Sequence, residues 1–92
     1  MKFCYPCIIK EQEDGKVHAS FPDLEMCEAI GRDLEEALEN AKEAERNWIE
    51  LELSEEEFEL PPRSELHEIR LQPGERVMNI SVNIRLMEGY DE

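Results

Sequence analysis

The chain has 92 residues, with 24 acidic against 10 basic side chains and a formal charge of −14. A chain this short makes one domain with a small core, which self-association or a partner commonly reinforces. The negative field excludes most binding to phosphate backbones and anionic lipid and favours a basic protein partner, with a salt-dependent on-rate.

Residues 1–10 read as a strand, with Phe3, Tyr5, Cys7 and Ile9 on one face and Cys4, Pro6 and Ile8 on the other. Both faces are apolar, which predicts an interior strand. Pro6 has no N–H to give, so it is expected at the first paired position or at a bulge, with good pairing from Cys7 onward. A single lysine before this strand is no signal-peptide n-region and h-region, and no apolar run nears the roughly 20 residues of a membrane span. Three cysteines, an odd number, suit a reducing cytosol rather than a disulfide framework. The expected location is cytoplasmic.

Asp14-Gly15 supplies the left-handed residues of a hairpin turn, and 16–21 is the return strand, with Val17, Ala19 and Phe21 alternating against His18 and Ser20. Pro22-Asp23 breaks it, and a short third strand is expected at 27–31. Asp33 followed by Glu36 is a variant capping box opening a helix over 33–53, with Glu35 and Glu36 complementing the dipole. Leu34, Ala37, Leu38, Ala41, Ala44, Trp48 and Leu51 form its apolar stripe, and the alanines call for close approach to a sheet. Residues 53–76 are an acidic, proline-containing irregular connection, in which Leu66, Ile69 and Leu71 form a short turn or strand. In 77–86 Met78, Ile80, Val82, Ile84 and Leu86 alternate with polar residues, so this last strand buries one face.

One α+β domain over 1–92 results, in the order β-β-β-α-β, with one main helix on a small mixed sheet. The last strand is expected beside the first and parallel to it. One sheet face then has no helix, and it is the expected self-association surface, through Ile8, His18 and Ser20.

Several words of the sequence can now be set together. They are Tyr5-Pro6 with Ile8-Ile9, Asp14-Gly15, Ala19-Ser20-Phe21-Pro22-Asp23-Leu24, Cys27 and Gly31. Leu34-Glu35-Glu36-Ala37-Leu38-Glu39-Asn40-Ala41-Lys42-Glu43-Ala44 and Leu60-Pro61-Pro62 with Ser64 complete the set. In order and spacing they resemble the N-terminal domain of HicB-type antitoxins over roughly residues 5 to 64. The resemblance implies a partial ribonuclease-H-like fold and binding of HicA, a small basic toxin that cleaves messenger RNA. The usual C-terminal DNA-binding module has no counterpart before Glu92, so no direct contact with nucleic acid is expected. The family's Pro-Gly after Phe-Pro-Asp-Leu is replaced by Glu25-Met26, which disfavours a turn with positive φ there.

The remaining chemistry is sparse. Cys4 and Cys7 form a C-x-x-C inside a strand, which sends the two thiols to opposite faces and is unsuited to redox work. Cys4, Cys7, Cys27, His18 and His67 lack a second close ligand pair for zinc. The first strand has Cys, Tyr and Ile where a nuclease would carry metal-binding carboxylates, and Asp23 and Asp33 read as turn and cap residues, so neither catalysis nor a cofactor is expected. The expected partner site is the acidic run Glu55, Glu56, Glu57 and Glu59 with Phe58 and Leu60 as apolar anchors, covering the basic groove of a toxin. The leading reading is a non-catalytic HicB-like antitoxin forming a dimer or tetramer. The alternative is a stand-alone oligomeric adaptor or sensor with no toxin partner.

Overall fold

The structure is a computed structural model that describes residues 2–57 and 59–84. Its elements are β1 (Lys2–Glu11), β2 (Val17–Ser20), β3 (Glu28–Gly31), α1 (Leu34–Leu53), a 3-10 turn at Leu66–Glu68 and β4 (Glu75–Asn83). The strands make one sheet in the order β3-β2-β1-β4, so β1 is interior as its two apolar faces require.

At the first hairpin Gly15 takes φ 90°, Gly15 N–H donates to Gln12 O, and the Asp14 carboxylate accepts from Lys16 N–H at 3.0 Å. This fixes the register from Glu11↔Val17 to Ile8↔Ser20. Pro6 lies outside the four residues that β2 pairs, where one side of β1 carries no ladder and a missing donor is tolerated. On the other side the ladder runs straight past it, as Pro6↔Asn79, without the late start expected at Cys7.

The last strand corrects the expected topology. β4 runs antiparallel to β1, from Lys2↔Asn83 to Lys10↔Glu75, so the sheet is antiparallel throughout rather than mixed. The cause is the path after the helix. α1 returns the chain toward the start of β1, and residues 54–74 then travel the length of the sheet once more before β4 begins. A tight connection from α1 would have given the parallel strand; a long one reverses it. Gly74, at φ 87°, makes the final turn, with Glu75 N–H donating to Gln72 O at 3.0 Å. β4 therefore starts at Glu75; Arg85 and Leu86, expected in it, lie outside the described residues.

Asp33 caps α1 by accepting from Glu36 N–H at 2.9 Å, while the Glu36 carboxylate reaches back to Arg32 N–H at 2.6 Å. The box is reciprocal but displaced by one residue. Gly31 allows the helix to sit down on the sheet, because a Cβ there would lie 2.2 Å from the backbone nitrogen of Ala37. The buried row is Ala37, Ala41, Glu45 and Ile49. Leu51, expected in the stripe, is 69% exposed. Successive fourth residues advance about 40° around a helix, so this row turns with the twisting sheet, and Leu51 falls beyond it.

The apolar core comprises Tyr5, Cys7 and Ile9 of β1, Val17 and Ala19 of β2, Phe21, Leu24 and Cys27 of the loop, Ala37, Ala41 and Ile49 of α1, and Ile80, Val82 and Ile84. Met78 shares their face but is 41% exposed, because it lies on an edge strand that α1 only partly covers.

Candidate partner-binding surface

The acidic run begins where α1 ends. No basic residue stands in the last helical turn, so the negative end of the helix dipole meets Glu50 and Glu52 without compensation. Ser54 N–H closes the helix on Glu50 O, Glu55 N–H donates to Glu52 O at 3.1 Å, and Glu59 N–H donates to the Glu52 carboxylate at 3.1 Å. Glu55, Glu56, Glu57 and Glu59 are exposed, and Leu60 is half-buried against the core. Phe58, the other expected anchor, lies outside the described residues.

The segment beyond the run is held by polar contacts that span the chain. The Tyr5 hydroxyl donates to Pro61 O at 2.6 Å. Burial first, then the charges of Asp23 and Glu45, raise the Tyr5 pKa, which keeps that hydroxyl a donor. Asp23 accepts from Ser64 N–H and from the Ser64 hydroxyl, each at 2.7 Å. The sequence assigns Asp23 only a turn; its side chain instead clasps a segment 41 residues away. Nearby, the Trp48 indole N–H donates to Glu25 O at 2.9 Å and pins the loop between β2 and β3. That loop also departs from expectation. Met26, 88% exposed, adopts φ 61°, so the left-handed residue is retained without a glycine.

On the sheet face away from α1 the register does bring Ile8, His18 and Ser20 together: Ile8 pairs with Ser20, and His18 with Lys10. His18 Nε2 is 2.7 Å from the Glu28 carboxylate, and Pro6 on the same face is fully buried. Cys4 and Cys7 lie on opposite faces, the first part-exposed and the second buried under α1. Among the described residues no group of three or more His, Cys, Asp or Glu side chains could hold a metal ion. Among them, too, no helix is long and apolar enough to cross a membrane.

Glu45 is a residue that polarity-based reading of the sequence misses altogether. It is fully buried, and neither carboxylate oxygen has a hydrogen-bond partner among the described residues. Burial lifts its pKa to about 8, with Arg46 pulling weakly the other way. Burial together with Glu45 lifts the neighbouring thiols, Cys7 to about 12 and Cys27 to about 11. The signal is present in the spacing, since residue 45 follows Ala37 and Ala41 at four-residue steps.

Comparison with known proteins places this geometry. A family model described as HicB-like antitoxin of bacterial toxin-antitoxin systems matches residues 5–90. The chain belongs to the HicB-like antitoxin family. Its fold matches the N-terminal domain of the Burkholderia pseudomallei antitoxin HicB, with TM-score 0.71 and 23% identity over 89% of this chain and 100% of that one. A chain of the HicA3–HicB3 toxin-antitoxin complex aligns with TM-score 0.64 and 28% identity, over 84% and 94% of the two chains. A toxin-antitoxin complex from Streptococcus pneumoniae gives 0.70 and 21%, over 90% and 70%. No curated protein matches. In this HicB-like chain the words that carry the resemblance prove to be bonded to one another: Tyr5 to Pro61, and Asp23 to Ser64.

Proposed function

We propose that this chain is a non-catalytic, cytoplasmic antitoxin that binds and inhibits a small basic ribonuclease of the HicA type, and that it works as a homo-oligomer. The observation that carries the reading is the exposed run Glu55, Glu56, Glu57 and Glu59. It is joined on one side to the uncompensated end of α1 and fixed on the other by Tyr5–Pro61 and Asp23–Ser64. A negative surface held this way meets the phosphate-binding groove of a nuclease with little ordering cost, and Leu60 supplies an apolar anchor beside the charged rim. Family membership and the likeness to chains solved in toxin-antitoxin complexes support the same reading.

The test is affinity for a purified small basic ribonuclease of the HicA type. With Glu55, Glu56 and Glu57 all changed to Gln, the association rate is expected to fall at least about tenfold at low salt and to lose most of its salt dependence. An unchanged rate and unchanged salt dependence would overturn the acidic run as the binding surface.

A further inference from the structure

The two edges of the sheet are unequal. β3 is four residues long, whereas β4 has nine. A long edge strand exposes a row of backbone donors and acceptors, and monomeric proteins protect such an edge with charges, proline or a bulge. β4 has none of these from Val77 to Asn83, although 37% of the chain is charged. Its ladder with β1 is regular, without a bulge.

Beside this edge lies a groove of about 510 Å³ between β4 and the first half of α1, with Leu38 and Met78 in it and Glu35 and Lys42 at its two ends. Leu34, 39% exposed, continues the apolar strip. The groove is complementary at its ends, with Glu39 between them. A two-fold axis through it exchanges its ends and sets Glu35 of each copy on the side of Lys42 of the other.

The strand sequence has the same property. About Asn79, an antiparallel partner β4 sets Met78 against Ile80, Val77 against Ser81 and Arg76 against Val82. Faces match, and like charges do not meet.

We propose that a second copy of this chain adds its β4 to this one, antiparallel about a two-fold axis at Asn79, extending the sheet with both helices on one side. This deepens the self-association in the reading above and is independent of the toxin. It also locates the contact away from Ile8, His18 and Ser20, a face on which Pro6 is already buried and His18 is engaged by Glu28. Each copy carries −14, so the uncharged stretch from Val77 to Asn83 is a surface on which two copies approach at low cost. Salt therefore strengthens this contact, whereas it weakens toxin binding.

The experiment is light scattering after gel filtration of the protein alone, with circular dichroism on each variant. The wild type is expected to be dimeric at about 100 μM and more so in high salt. Asn79→Asp and Asn79→Lys each place like charges across the axis and should weaken the dimer at least about tenfold, while an equimolar mixture of the two restores it as a heterodimer. Ser20→Lys should leave the dimer intact. A monomeric wild type, a mixture of folded variants that fails to pair, or a dimer broken by Ser20→Lys would each overturn the proposal. Toxin affinity retained by a monomeric Asn79→Asp would separate this contact from the antitoxin role.

Discussion

Asp23 and Glu45 are both carboxylates withdrawn from solvent, and the fold treats them in opposite ways. Asp23 sits in a loop and spends both oxygens on Ser64, at 2.7 Å each. Glu45 sits in the buried row of α1 with neither oxygen bonded among the described residues. The first orders a long connection; the second costs stability, because a buried carboxyl without partners can only be accommodated neutral. The contrast shows that burial alone does not tell whether an acidic residue holds a fold together or strains it. The partner does.

Breaking the bonded member should have the largest effect. Asp23→Ala leaves the Ser64 N–H and hydroxyl without their acceptor and frees the connection that carries the acidic run. A loss of about 2–3 kcal/mol is expected in urea unfolding, together with weaker toxin binding. Stability unchanged within error would mean that the clasp is ornamental.

Relieving the unbonded member should do the reverse. Glu45→Met, of similar volume and without a charge to bury, is expected to stabilise by about 1–2 kcal/mol at pH 7. Its pH signature is more diagnostic. The folded pKa, about 8, lies above the unfolded value of 4.5, so the native state keeps a proton that the unfolded chain has released. The contribution of Glu45 is fully present below pH 4.5 and is lost as pH rises to about 8, beyond which the group imposes no further slope. Denaturation midpoints measured across that range should fall for the wild type and flatten for the variant. Parallel profiles would show that Glu45 is not the group responsible.

The smallest effect tests the loop that presents Asp23. Met26 holds φ 61° with its side chain in solvent, so Met26→Gly removes backbone strain at the expense of unfolded-chain entropy. A net gain of about 0.5 kcal/mol in thermal unfolding is expected. A loss would indicate that the Met26 side chain contributes contacts.

These residues also mark the limit of what the sequence discloses. The hairpin at Asp14-Gly15, the Asp33 cap and the alternation in β4 are legible because each depends on neighbours a few residues apart. The direction of β4 is not, since it depends on the route taken by 54–74 and not on any local pattern. Leu51 and Glu45 exchange places for a related reason: periodicity finds a helix face but not where the sheet beneath it twists and ends, and a glutamate is passed over when a stripe is read by polarity. The exposure of Glu55, Glu56 and Glu57 is legible from composition. The clasp of Asp23 on Ser64, beyond that run, is not, because the contact joins residues 41 positions apart.

The placement of the three thiols has a practical consequence. Cys4 is partly open to solvent, while Cys7 and Cys27 lie in the core with pKa values near 12 and 11. A thiol reagent at neutral pH reacts with thiolate, so the native protein offers it one modest target and two that become competent only when the sheet and helix part. Alkylation counted by mass thus runs as a clock in two hands: the first addition reports surface chemistry, and the next two report how often the domain opens.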